Sequence, residues 1–108
     1  MTQLLQRLPG PKTERWPEGE RFVEAFRHGS LVIELYAPID VDPQQPHDRD
    51  EVYFVISGSG DFVLNRQREA FAAGDALFVP ARAAHRFENF TRDFSAWVVF
   101  YGPVGREA

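Results

Sequence analysis

From residue 22 to residue 101 the chain is a series of short runs in which apolar side chains recur at every second position, and this period of two constrains the fold more than any other feature. Phe22, Glu24 and Phe26 alternate with Val23, Ala25 and Arg27; Leu31, Ile33 and Leu35 alternate with Val32, Glu34 and Tyr36. Successive side chains of a strand point to opposite faces, so the pattern is that of half-buried strands. His28-Gly29-Ser30 reads as the hairpin turn between these two runs, with His28 solvated. Residues 37–46 carry Pro38, Pro43 and Pro46 and read as a loop. Further runs are expected at 52–56, 61–64, 69–71, 76–79, 85–90 and 94–101, broken at Ser57-Gly58-Ser59-Gly60, at residues 65–68 and at Ala73-Gly74-Asp75. Asp61 and Asp75 follow glycines and are expected to cap those turns. Short strands with turn signals about every eight to twelve residues, and no convincing helix in the body, define an all-β sandwich or barrel.

At 108 residues the chain holds one core rather than two. The expected division is an N-terminal arm at residues 1–19, a barrel at 20–102 and a fraying tail at 103–108. Trp16 is the one large aromatic of the arm and is expected to pack over a barrel edge or a neighbouring subunit. Ten phenylalanines supply apolar area without polar atoms to satisfy, which suits a small barrel interior or a subunit interface. A net charge of −4 with no basic stripe argues against a nucleic-acid partner. With no cysteine there is no disulfide framework, and any metal must be held by nitrogen and oxygen. No apolar run approaches the roughly 20 residues of a membrane span, and the first residues are too short and polar for a signal peptide, so a cytoplasmic protein is expected.

The chemistry concentrates between residues 45 and 89. Gln45, His47, Glu51 and Tyr53 share one parity, so an extended or gently bulged strand would turn an amide, an imidazole, a carboxylate and a phenol to one side. His85, Phe87 and Asn89 share a parity on a later strand, after a turn at residues 80–84. If the two segments are neighbours, both histidines and Glu51 converge inside the barrel. A buried carboxylate without a cation costs several kcal/mol unless it is protonated or hydrogen-bonded. That argues for an ion, with a metal-free polar pocket as the alternative.

These intervals resemble the two motifs of the cupin superfamily, and the chain is similar to its small single-domain members. Gln45, His47, Glu51 and Gly58 stand at the spacing of the first motif; Gly74, Pro80, Arg82, His85 and Asn89 stand at that of the second. Two positions depart from the pattern. Gln45 replaces the first ligand histidine, and Arg82 replaces a turn glycine, which keeps the turn feasible only if Arg82 avoids the left-handed region. The resemblance implies a jelly-roll β-barrel in a single domain with a short N-terminal arm. It implies a divalent metal ion (iron, manganese, nickel, copper or zinc) held by His47, Glu51 and His85, with Gln45 a weak fourth ligand or pocket lining. Tyr53, Phe87 and Trp97 are expected on the pocket wall, with Tyr53 the candidate for moving a proton. The implied activity is that of a mononuclear metal enzyme acting on a small molecule, of oxygenase, isomerase or lyase type. The alternative is a non-catalytic barrel that binds or senses a small molecule or metal. A homodimer is expected, with residues 1–12 crossing a neighbour and the run 94–101 apolar on both faces.

Overall fold

The structure, a computed structural model, describes residues 22–39 and 47–103. The expected arm and most of the expected tail, with Trp16 and Gln45, lie outside the described residues. Eight strands are described: β1 (Phe22–His28), β2 (Leu31–Tyr36), β3 (Asp50–Ser57), β4 (Ser59–Leu64), β5 (Gln67–Ala72), β6 (Ala76–Val79), β7 (His85–Glu88) and β8 (Ser95–Tyr101). They form a five-stranded sheet in the order β1-β2-β8-β3-β6 and a three-stranded sheet in the order β5-β4-β7. All pairings are antiparallel. This is the jelly-roll barrel expected from the alternation, and no described helix is long and apolar enough to cross a membrane.

The sheets close on a core drawn from both. Tyr36, Tyr53, Val55, Val79, Ala96 and Val98 from the large sheet pack with Phe62, Phe71 and Phe87 from the small one, and Phe94 seals one end from the turn before β8. Phe87 sits at the centre, 5.0 Å from the Tyr53 ring, 5.1 Å from Phe62, 5.3 Å from Phe71 and 4.8 Å from Phe94. Offset and edge-on rings at such separations add to the apolar area each buries.

Strand register fixes which face looks inward. One row across the large sheet is Glu24, Glu34, Val98, Tyr53 and Leu77; the next towards the His47 end is Arg27, Val32, Phe100, Glu51 and Val79. The intervening row, Phe26, Ile33, Val99, Val52 and Phe78, and the row beyond Tyr53, Val23, Leu35, Trp97, Phe54 and Ala76, lie on the other face. There Leu35 and Ala37 pack with Val23, Ile56 and Trp97 in a second apolar cluster, while Phe54 and Phe78 are about half exposed. The run 94–101, expected to be apolar on both faces, is mostly β8, the central strand of the large sheet, and one of its faces is core while the other lies in this outer cluster.

Two turns need their backbone. Gly58 joins β3 to β4 at φ +84°, and a Cβ there would lie 2.5 Å from Thr91 Oγ1 and 2.6 Å from Phe94 Cα, so any side chain collides with the closed end. Asp75 caps its turn as expected, accepting from the Ala72 amide at 2.8 Å. Asp61 does not cap: it is a β4 residue whose carboxylate accepts from Arg68 at 3.1 Å and from Asn89 at 3.0 Å, in a surface cluster that also joins Arg68 to Glu88.

Candidate metal centre

Glu51 is the second residue of β3, and its side chain is fully buried on the inner face of the large sheet. Its neighbour Asp50 turns the other way in function: the Asp50 carboxylate accepts from the Ala81 amide at 2.8 Å and so ties down the turn between β6 and β7. That turn is tied a second time where the Arg82 amide donates to the His47 carbonyl at 2.6 Å. One side-chain link and one backbone link therefore hold the segment bearing His47 against the turn that launches His85.

Arg82 adopts φ +67°, so the turn forms without the condition set for it, that Arg82 avoid the left-handed region. The turn keeps the shape a glycine would take, and the arginine bears the strain of a conformation that costs an L-residue about 1–2 kcal/mol. His47 also differs from expectation in its setting. It precedes β3 rather than belonging to the strand, and it reaches the inner face from a non-strand segment. Its ring stands edge-on to Phe100 at 5.1 Å and 5.5 Å from the His85 ring, with about a third of the side chain exposed, which marks the mouth of the barrel.

The three candidate ligands converge. One donor atom from each of His47, Glu51 and His85 falls within 4.8 Å of the others. His85 Nε2 lies 3.0 Å from Glu51 Oε1, and His47 Nε2 lies 3.9 Å from Glu51 Oε2. His85 Nδ1 sits 3.0 Å from the Ala83 carbonyl oxygen, which can only accept, so Nδ1 carries the proton. A neutral His85 then presents the Nε2 lone pair to a carboxylate oxygen, two acceptors face to face, and only a cation or a second proton reconciles them. The carbonyl bond to Nδ1 is also the outer contact that fixes the ring of a metal-bound histidine.

Glu51 Oε2 supplies the second indication. It is buried with no hydrogen-bond partner. A buried acceptor left unsatisfied costs about 1–3 kcal/mol, more when charged, and an ion seated between Oε2 and the two imidazoles would satisfy it. Two neutral imidazoles and one carboxylate on one side, with His47 towards solvent, form the donor set of a divalent metal that keeps open positions. The residues present fit such an ion.

Tyr53 stands below this set, fully buried, its hydroxyl 3.3 Å from Glu51 Oε1 and 3.2 Å from His85 Nε2. With one proton it can donate to only one of the two at a time. Phe87 lies beneath it, its ring edge-on to that of Tyr53. Trp97 is not on this wall. Its parity places it on the outer face of β8 against Leu35, because Ala96 and Val98 are the inward residues of that strand.

Glu34 escaped the sequence reading. Register puts it inward, in the same row as Val98 and Tyr53. Burial, then the like charges of Glu24 and Glu51, push its carboxyl above the ordinary range, against a smaller pull from the Arg27 guanidinium. The signal available was a lone acid in the alternate set of β2, between Val32 and Tyr36.

An antiparallel two-sheet barrel with a histidine–carboxylate–histidine cluster at its mouth defines a class of small β-barrel proteins built around an inward-facing polar centre. Residues 32–101 match the cupin domain family, and the chain belongs to it. It is 34% identical over 100 residues to an uncharacterised protein of Streptomyces coelicolor, covering 90% of this chain and 94% of that one. It is 38% identical over 64 residues to the acireductone dioxygenase of Acidiphilium cryptum, covering 55% of this chain but only 36% of the enzyme. Among solved structures, the DMSP lyase DddQ of Ruegeria pomeroyi superposes with a TM-score of 0.64 at 24% identity, over 78% of this chain and 48% of the lyase. That last likeness concerns the fold alone.

Proposed function

We propose that this cupin is a mononuclear divalent-metal enzyme acting on a small molecule, of the oxygenase, isomerase or lyase type, with His47, Glu51 and His85 as the protein ligands. The observation that carries the reading is the fully buried Glu51, whose Oε2 has no hydrogen-bond partner and whose two oxygens face the two imidazoles. The dioxygenase similar to part of the chain supports an enzyme over a passive barrel. Iron, manganese, nickel, copper and zinc all suit two imidazoles and a carboxylate. When bound, the ion would act as a Lewis acid or redox centre for a small molecule entering past His47. The chain's own part is to orient and to exclude water. Tyr53 and the Ala83 carbonyl hold His85, Phe100 backs His47, and Phe87 closes the floor.

The deciding experiment is elemental analysis of the protein as purified, followed by turnover of a small-molecule library after iron or manganese is restored. Near-stoichiometric metal with turnover supports the reading. Metal without turnover moves the protein to a binding or sensing barrel, and absence of metal after loading overturns the centre itself. The proposal includes a homodimer, because Phe54 and Phe78 leave about half of two large apolar side chains exposed on the outer face of the large sheet.

A further inference from the structure

We propose that the Tyr53 hydroxyl oxygen is a fourth protein ligand of this centre, standing in for the histidine whose place in the first motif Gln45 occupies. The inference rests on the metal reading above and changes its donor set to two imidazoles, a carboxylate and a phenolate.

Three distances carry the argument. Tyr53 Oη lies 3.2 Å from His85 Nε2 and 3.3 Å from Glu51 Oε1, and those two atoms lie 3.0 Å from each other. Donors bound to one ion at about 2.1 Å lie about 3.0 Å apart at octahedral corners and about 3.4 Å apart at tetrahedral ones. All three sides of the triangle fall in that interval, so one point lies at bonding distance from all three atoms. Hydrogen bonding accounts for the triangle less well. An O–H···O bond runs about 2.5–3.0 Å, shorter than the Tyr53–Glu51 separation. The proton of the His85 ring is on Nδ1, facing the Ala83 carbonyl, so Nε2 is an acceptor, as are both oxygens of the Glu51 carboxylate. Three electron-pair donors thus face one another across the triangle with one phenolic proton among them. Sequence and packing fix Oη at its corner. Tyr53 follows Glu51 by two residues on β3, so both side chains leave the same inward face. Its ring is fully buried, edge-on to Phe87 at 5.0 Å and tilted against Phe62 at 6.4 Å. Tyr53 gives its proton to solvent and Oη keeps the electron pair that bonds the ion; nothing is oxidised or reduced. Carboxylate and phenolate then match a divalent ion charge for charge, which offsets the cost of burying all three.

The test is spectroscopic and uses copper(II), the first-row divalent ion that nitrogen and oxygen donors hold most tightly. Copper is added in equimolar amount, and bound copper is measured after gel filtration. A phenolate ligand gives an intense visible charge-transfer band that imidazoles and carboxylates do not, and Raman excitation in that band brings up the ring modes of tyrosinate. The wild type is expected to show both. Tyr53→Phe keeps the ring and its packing, and is expected to lose both signals while binding copper about 10–100-fold more weakly. An outer hydrogen-bond partner would cost similar affinity, so the band decides. The chain has three tyrosines, and Tyr36→Phe and Tyr101→Phe are expected to keep the wild-type spectrum. Copper bound to wild type without the band, or a band that survives in Tyr53→Phe, overturns the assignment and leaves the metal centre standing. Wild type that binds no copper, or His85→Ala that binds it as tightly as wild type, removes the metal reading and this inference with it. If Tyr53→Phe does not fold, the wild-type band and its survival or loss in the other two tyrosine variants decide by elimination.

Discussion

Replacing Glu51 with glutamine should move stability in opposite directions with and without metal. The side chain is fully buried, and its Oε2 has no hydrogen-bond partner, so the metal-free protein carries an unsatisfied carboxylate oxygen. Glutamine keeps the volume, removes the charge and gives Tyr53 or His85 an N–H donor in place of an acceptor. Relief of one unsatisfied buried group is worth about 1–3 kcal/mol. For a domain near this size each kcal/mol shifts Tm by roughly 4–8 °C, so in chelator Glu51→Gln should melt well above wild type. With zinc at about 100 times its Kd the wild type should gain about 2.7 kcal/mol, and the variant, having lost its anionic ligand, should gain little. Thermal melts of both proteins in chelator and in zinc read the difference directly. A variant less stable than wild type in chelator would refute the reasoning. It would show that Glu51 is satisfied by a protonated His85, which is 3.0 Å away, rather than waiting for an ion.

Glu34→Gln should stabilise the protein at neutral pH, because the native state favours the protonated carboxyl. The wild type has its full stability from this group below the ordinary carboxylate value of about 4.3 and loses it as pH rises through the higher native value. Chemical denaturation across that window should show the variant's advantage shrinking to nothing at the acid end; an advantage independent of pH would sink the assignment. Arg82→Gly should relieve the left-handed strain of about 1–2 kcal/mol, offset by roughly 0.5–1 kcal/mol of glycine chain entropy, for a small net gain. A lower Tm would show that the arginine side chain stabilises the turn. His85→Ala should lower metal occupancy severely while Gln45→Ala lowers it mildly, and elemental analysis giving the reverse order would reassign the ligands. Wild-type occupancy should fall as pH drops from about 7 towards 5, because imidazoles must be neutral to bind metal. Light scattering should give twice the monomer mass of 12.4 kDa, and a strictly monomeric mass would remove the homodimer.

Local pattern determined a good deal of this protein. A period of two, interrupted by glycine, proline and polar turns, fixes strand and turn because the pleat allows nothing else, and each of the eight expected runs from Phe22 to Tyr101 falls on a strand of the structure. Intervals between His47, Glu51 and His85 carried the candidate centre for the same reason: ligand spacing on adjoining segments is a local quantity. What alternation cannot state is which of its two faces looks inward. In β2 the uninterrupted apolar set is Leu31, Ile33 and Leu35, yet the set on the core side is Val32, Glu34 and Tyr36, because β8 and β1 pair with β2 in a register that turns Leu35 to the outer cluster. Trp97 was misplaced and Glu34 overlooked through that one ambiguity. Arg82 shows the other limit: propensity disfavours a left-handed arginine by about 1–2 kcal/mol, but the Asp50 carboxylate on the Ala81 amide and the His47 carbonyl on the Arg82 amide hold it there. Pairing partners distant in sequence, contributed by strands from both ends of the chain, decide faces and turns, and only the closed barrel brings those partners together.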